Sequence, residues 1–317
     1  MKISVALCTY NSSSYIKKQL DSILNQQDFK VDEIIICDDN STDETIEILK
    51  NYKAKKSSTF TIHKNEINIG STKNFEKAIS LCSGDFIFLS DQDDIWKENK
   101  ILKTLTVFEE NPNAEGVFSN ADLIDQHGNS IPNITIWDSV FFLEKELSKP
   151  IDFFDIITKN GNIVTGATLC IKNIVKSFIF PFTDEVLHDE KIAVCLALRK
   201  SLFYSTENLI SYRLHDKQQV GMRNLHKLVS KNRLKRIILD LEKPETFKEY
   251  RQLSKKIYLK LQKSKKYQHC NFLKTDMREL SAKSKNELDL LNNKMKLKFP
   301  LRYRFTSLID KLLNKRK

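Results

Sequence analysis

At 317 residues the chain has room for one large α/β domain with an appendage, or for two smaller domains. Its 40% hydrophobic and 29% charged residues exclude disorder by composition, and no run of about 18 apolar residues is present to span a bilayer. The formal net charge of +11 is an uneven average: residues 222–317 hold 28 Lys and Arg against 9 Asp and Glu, a net of +19, which leaves residues 1–221 at −8. The chain therefore reads as a mildly acidic body, 1–221, and a basic tail, 222–317.

The first residues, MKISVALCTYNSSS, hold an apolar stretch of strand length without the h-region or small-residue cleavage site of a signal peptide. Strand and helix signals then alternate. Lys2–Cys8, Glu33–Cys37, Phe60–His63 and Asp85–Leu89 are short β-rich or apolar runs. Between and after them Ser14–Asn25, Thr45–Tyr52, Thr72–Cys82 and Lys97–Glu110 place apolar residues at helical spacing. Such alternation predicts βαβ units and a mainly parallel sheet. Residues 130–160 read as loop and short helix, Gly166–Ile171 as a strand, Glu190–Lys200 as a helix and Leu209–Leu214 as a strand. From about Leu225 the pattern is helical, with Leu234, Ile237, Ile238 and Leu241 on one face, as are Leu253, Ile257 and Leu261. Six cysteines (Cys8, Cys37, Cys82, Cys170, Cys195, Cys270) lack CxxC spacing. They predict buried thiols in a reducing cytoplasm, and neither a zinc site nor a disulfide framework.

In an open α/β sheet, ligands bind beyond the carboxyl ends of the strands. Three such ends are polar here: Thr9-Tyr10-Asn11, Asp38-Asp39-Asn40-Ser41 and Asp91-Gln92-Asp93-Asp94. Taken alone, the first is as readily ordinary loop chemistry as a binding site. The third is not, because three carboxylates within four residues repel one another unless something positive sits between them. Hard oxygen ligands of that kind suit Mg²⁺ or Mn²⁺. GxxxxGK[ST] and GxGxxG are both absent, so a metal bridging a diphosphate would supply what a glycine-rich loop supplies elsewhere.

Four segments together resemble the successive motifs of the family 2 glycosyltransferases: Val5–Asn11, Ile36–Asp43, Asn68-Ile69-Gly70 and Leu89–Trp96. Leu187-His188-Asp189-Glu190 is similar to the family's base motif, and Tyr212-Arg213-Leu214-His215 with Val220-Gly221 to the closing segment of rhamnosyltransferase-like members. The resemblance covers about residues 1–221. It implies an A-type glycosyltransferase fold, Rossmann-like with a mainly parallel mixed sheet between helices, followed here by a basic helical extension. It also implies inverting transfer from a nucleotide-sugar, dTDP-rhamnose or a UDP-sugar, to a saccharide or lipid-linked saccharide. By that resemblance Thr9 and Asp39 hold the nucleoside, Tyr10 and Asn11 belong to the nucleotide- or donor-binding set, and Asn68 and Asn74 line the donor pocket. Asp91 and Asp93 bind Mn²⁺ or Mg²⁺ and the donor, with Asp94 an alternative ligand, and His215 is a further metal ligand. Asp189 is the general base, with Glu190 in competition.

Those residue types suit a single in-line displacement, in which a carboxylate takes the acceptor proton and a cation neutralises the departing diphosphate. Without the resemblance, an aspartate before a helix reads as a cap and a lone histidine as a hydrogen-bonded side chain. A metal-dependent nucleotidyltransferase would also use acidic strand ends, but no basic triphosphate loop is seen. A nucleic-acid-binding protein would use the tail, yet it leaves the acidic ends unexplained. The tail carries no RNP, zinc-finger or helix-turn-helix signature, and Tyr250, Tyr258, Tyr267 and Tyr303 form no stacking platform. Lys-rich amphipathic helices suit an anionic membrane surface, so the expectation is a cytoplasmic protein peripheral to the inner face of the plasma membrane, with no nucleic acid partner.

Overall fold

The structure is a computed structural model that describes residues 1–140, 151–216, 218, 244–267 and 274–312. It divides into two compact units, Met1–Phe154 with Asn162–Ser230, and Asp155–Gly161 with Lys231–Lys317. The boundary expected at 221/222, and the face of Leu234, Ile237, Ile238 and Leu241, lie outside the described residues.

In the first unit the expected βαβ alternation is present. Strands β1 (Ile3–Thr9), β2 (Glu33–Asp38), β3 (Phe60–Lys64) and β4 (Phe86–Ser90) alternate with helices α1 (Ile16–Leu24), α2 (Thr45–Lys55) and α3 (Ser71–Leu81). All seven residues of β1 are buried, the signature of a strand covered on both faces. Each Ile, Val or Leu so buried contributes about 1.5–3 kcal/mol of transfer free energy. Helix α1 turns Ile16, Gln19, Leu20 and Ile23 inward.

After β4 come β5 (Ile95–Trp96), α4 (Lys100–Glu110), β6 (Gly116–Ile124), β7 (Ser130–Thr135), α5 (Ile136–Val140) and α6 (Phe153–Asn160). A 3₁₀ turn (Gly166–Thr168), β8 (Cys170–Lys172), α7 (Lys176–Ile179), α8 (His188–Leu198) and β9 (Leu202–Arg213) follow. The described strands form one mixed sheet in the order β3-β2-β1-β4-β8-β6-β9-β5, with β7 paired to β6. Pairs β1–β2, β1–β4, β2–β3 and β6–β9 are parallel; β8 runs antiparallel to both β4 and β6.

Four expectations need correction. Gly166–Ile171 is not one strand, because Gly166–Thr168 turns as a 3₁₀ segment before β8. The stretch read as loop and short helix holds β7 as well as α5 and α6. Strand β9 starts at Leu202, well before the expected Leu209, and β6 was not foreseen. Helix α8 begins at His188 rather than Glu190. Cys8, Cys37, Cys82, Cys170 and Cys195 are free and buried, and Cys270 lies outside the described residues.

In the second unit, α9 (Phe247–Tyr267), α10 (Lys274–Lys298) and α11 (Pro300–Leu312) bear out the helical tail. Tyr250, Ile257, Leu291 and Met295 form its core, with Phe247, Leu253, Leu288, Phe299 and Tyr303 packed on them. Asp155 and Ile157 are tied to α9 by Lys260 Nζ (2.9 Å to Asp155 Oδ1) and Lys263 Nζ (2.9 Å to Ile157 O). No described helix is long and apolar enough to cross a membrane.

Candidate active site

The order β3-β2-β1-β4 reverses direction between β1 and β4, and in such sheets the crevice opens at that switch point. The parallel register pairs Thr9 with Asp38 and Leu7 with Ser90, so three polar strand ends reach one edge together. Asn11 and Asn40 take φ of 49° and 65°, left-handed values that asparagine tolerates, and turn the chain just past β1 and β2. Tyr10 N donates to Gln92 Oε1 (2.6 Å) and Gln92 Nε2 returns a bond to Tyr10 O (3.2 Å), clamping the β1 and β4 ends across the crevice.

Of the two adjacent aspartates, Asp38 is wholly internal. It accepts from Thr9 Oγ1 (2.8 Å), Ser41 N (2.8 Å) and Ser41 Oγ (2.5 Å). Thr9 therefore spends its hydroxyl on Asp38. Asp39 accepts from Asn65 Nδ2 (2.9 Å), Ile69 N (2.8 Å) and Gly70 N (2.9 Å), which leaves about one acceptor position of a carboxylate's four. Gly70 has φ of 81°, a conformation costly for any side chain, and it starts α3. Asn74 sits behind this turn, 1% exposed, donating to Cys37 O (2.7 Å) and accepting from Asn65 (2.9 Å). Its amide is consumed in holding Asn65, so it positions Asp39 rather than facing the crevice. Asn68 is exposed and accepts from Gly70 N (3.1 Å). Asn11 Oδ1 accepts from Thr42 N (2.8 Å).

The acidic loop after β4 separates its three carboxylates. Asp94 is 1% exposed, takes Arg213 N on Oδ1 (2.9 Å), and its Oδ2 is buried without a partner. Burial, then Asp93 and Asp91, hold its carboxyl well above the usual range. Asp93 Oδ2 lies 2.8 Å from His215 Nε2, so the structure brings together two residues 122 positions apart that the family resemblance put in one ligand set. His215 Nδ1 is buried and unpartnered, and its ring packs 4.9 Å from that of Tyr15. Asp91 is half-buried and its carboxylate accepts no hydrogen bond from any described residue. Burial first, then Asp93 and Asp189, push it up to about 7 against the pull of Lys100.

Sequence reasoning gave no role to the two cations that frame this loop. Arg213 is 1% exposed; its Nε donates to Asp93 O (2.7 Å) and its guanidinium also reaches Asp125 O (3.1 Å) and lies 4.9 Å from the Tyr15 ring. Lys100 is buried under the loop, donates to Ala167 O (2.8 Å) and lies 4.1 Å from the Trp96 ring; burial brings it down to about 7. Arg213→Ala is expected to cost about 2–4 kcal/mol by leaving the part-buried Asp93 and Asp125 carbonyls without their guanidinium donor and a cavity where a 1% exposed side chain stood. It should also release Asp93 from His215, so a melting curve and the response to added Mn²⁺ should both fall.

Asp189 is not the N-cap of α8, which is Leu187; it lies in the first turn. Its Oδ2 accepts from Gly166 N (3.2 Å) and its Oδ1 from Glu190 N (2.6 Å). Burial outweighs those bonds and raises it to about 7. Of Asp189 and Glu190, Asp189 is the one whose charge registers at Asp91. The buried Tyr212 hydroxyl is raised by burial and then by the charges of Asp94, Asp91, Asp93 and Asp189. His188 neither bonds Asp189 nor lies in solvent. It is 6% exposed, stacked 3.9 Å from Phe75, and held neutral at about 3 by burial. A Cβ on Gly166 would come within 2.6 Å of His188 Nε2, so only glycine lets this turn approach α8 and present its N–H to Asp189.

The chain matches the Glycosyl transferase family 2 model over residues 4–167, from β1 to this turn. It is 25% identical over 241 residues to an uncharacterized glycosyltransferase of Haemophilus influenzae, covering 74% of this chain and 72% of that protein. It is 32% identical over 186 residues to chondroitin synthase of Escherichia coli, covering 58% of this chain and only 26% of that protein. Among solved structures, S. aureus TarS 1–349 in complex with UDP-GlcNAc superposes with a TM-score of 0.54 at 16% identity, over 94% of this chain and 73% of that one. That likeness shows the fold alone, and the fold is the A-type glycosyltransferase fold expected from the motifs.

Proposed function

Since the chain belongs to glycosyl transferase family 2, we propose that it moves a sugar from a nucleotide diphosphate donor to a hydroxyl of a growing bacterial surface polysaccharide, with inversion at the anomeric carbon. The observation that carries this reading is the meeting of three polar strand ends at the β1–β4 switch point, with Asp93 Oδ2 2.8 Å from His215 Nε2 in the loop beyond β4. Chondroitin synthase, named for a polysaccharide, and TarS, solved in complex with UDP-GlcNAc, support the substrate class.

Asp189 takes the proton of the acceptor hydroxyl as its oxygen attacks the anomeric carbon. The bond from that carbon to the phosphate oxygen breaks, and its electrons leave with the nucleoside diphosphate. A carboxyl held near neutrality is suited to such a transfer. The crevice also fits a divalent cation. Asp91 offers an unpartnered carboxylate, and Asp93 and His215 offer oxygen and nitrogen 2.8 Å apart. Among the described residues no three His, Cys, Asp or Glu groups could hold an ion by themselves, so Mg²⁺ or Mn²⁺ would need donor phosphates and water as further ligands. When bound, the ion would neutralise charge on the departing diphosphate. Tyr10, Asn11 and Asp39 frame the nucleoside side, with Thr9, Asn65, Asn68 and Asn74 holding that frame.

A thermal-shift panel of UDP-, dTDP- and GDP-sugars with Mn²⁺ tests the reading. A donor at about 100 times its Kd adds roughly 2.7 kcal/mol, and one nucleotide class should stand out. If none of them raises the melting temperature, the proposed function is wrong.

A further inference from the structure

The tail carries two apolar stripes, and its own fold uses one. Leu288, Leu291, Met295, Phe299 and Tyr303 turn inward to the core with α9. Leu290, Leu297, Leu301 and Phe305 are 57%, 83%, 81% and 68% exposed. Leu297 and Leu301 fall two residues from inward-facing positions, about 200° around a helix, so the second stripe lies on the opposite side. Spacings of 7, 4 and 4 keep its members in line along the helical path. Leu290–Thr306 also holds five basic residues, Lys294, Lys296, Lys298, Arg302 and Arg304, and no acidic one. Four large exposed hydrophobics within sixteen residues, rimmed by positive charge, are costly in water and fit no internal partner among the described residues.

We infer that the outer face of α10 and α11 is a docking surface for an anionic lipid bilayer, with Leu290, Leu297, Leu301 and Phe305 entering the acyl boundary and the flanking Lys and Arg meeting headgroup phosphates. A second copy of this chain would bring two +19 tails together and is disfavoured by charge. Nucleic acid would use the charge and leave the stripe in water. Headgroups over acyl chains satisfy both. The inference does not depend on the transferase reading.

The test is flotation of the full chain with phosphatidylcholine vesicles, with and without about one-third phosphatidylglycerol. Wild type should float with the anionic vesicles and be released by salt. Leu297→Ser with Leu301→Ser and Phe305→Ser should lower partitioning about 100-fold, and Lys294→Gln with Lys296→Gln and Arg302→Gln about fivefold per charge removed. All six side chains are exposed, so melting temperature and nucleotide-sugar thermal shift should match wild type. The inference is overturned if wild type stays unbound, if neutral vesicles bind it equally, or if the triple-serine variant floats like wild type. It is overturned too if that variant halves the mass in solution without changing flotation, which would mark a dimer face. Should the serine variant not fold, loss of flotation in the glutamine variant supports the inference and its absence overturns it.

Discussion

Asp189→Asn is expected to lower transfer by about 10²–10⁴ while nucleotide-sugar binding and folding persist. The asparagine keeps the shape and one acceptor oxygen, so of the bonds from Gly166 N and Glu190 N one is lost, about 1 kcal/mol. A purely structural aspartate would show the reverse: a lower melting temperature and near-normal transfer. The pH profile separates the two further. Burial raises Asp189 to about 7, and a base works ionised, so the wild-type rate should climb through pH 6 to 7 and level above it. The asparagine variant should lack that limb. The sign for stability is opposite. A carboxyl raised in the folded state contributes stability that is full below its ordinary 3.8 and lost as pH rises through about 7. Activity should therefore rise over the range in which this contribution fades. Glu190→Gln serves as the register control, and a dead Glu190→Gln beside an active Asp189→Asn would reassign the base.

The donor side of this site was legible because β1, β2 and β4 are covered on both faces. Double coverage leaves unbroken runs such as EIIIC and FIFL, and the polar residues that end them stand out. The acceptor side was not. Strand β6 carries Ser119, Asn120 and Asp122 amid its apolar residues and shifts register against β9 at Asn120, so no period of two survives. GATLCI has the composition of a strand, but it turns because Asp189 holds Gly166 N and Lys100 holds Ala167 O. Those partners lie 23 and 67 residues away, beyond any local pattern. Lys100 opens an amphipathic helix, where lysine usually means solvent. Arg213 stood inside a motif already singled out, yet only the tertiary structure shows its guanidinium strapping the Asp93 carbonyl. The same holds for Asp94, whose place in the acidic run suggested a ligand and whose buried bond to Arg213 N makes it an anchor for β9.

Asp91→Asn should remove donor-dependent activity and yet stabilise the metal-free protein. The Asp91 carboxylate has no hydrogen-bond donor to lose, and it is half-buried against Asp93 and Asp189. Its charge is a cost to the fold that Lys100 offsets only in part, unless a metal cation sits beside it. Because its folded value is raised from 3.8 to about 7, the ionised form withdraws stability as pH climbs between those values. In EDTA the asparagine variant should therefore melt above wild type at pH 8 and level with it near pH 4. Added Mn²⁺ should reverse the order at pH 8. Wild type gains about 2.7 kcal/mol at roughly 100 times the ion's Kd, and the variant gains little. Transfer should drop at least about 10²-fold, since charge developing on the departing diphosphate loses several kcal/mol of stabilisation. An isosteric amide that leaves the melting curve unchanged at pH 8 would mean that the Asp91 carboxyl is not crowded by its neighbours. A variant that keeps full activity and the full Mn²⁺ response would mean that the ion is held elsewhere, on Asp93 and His215 without Asp91.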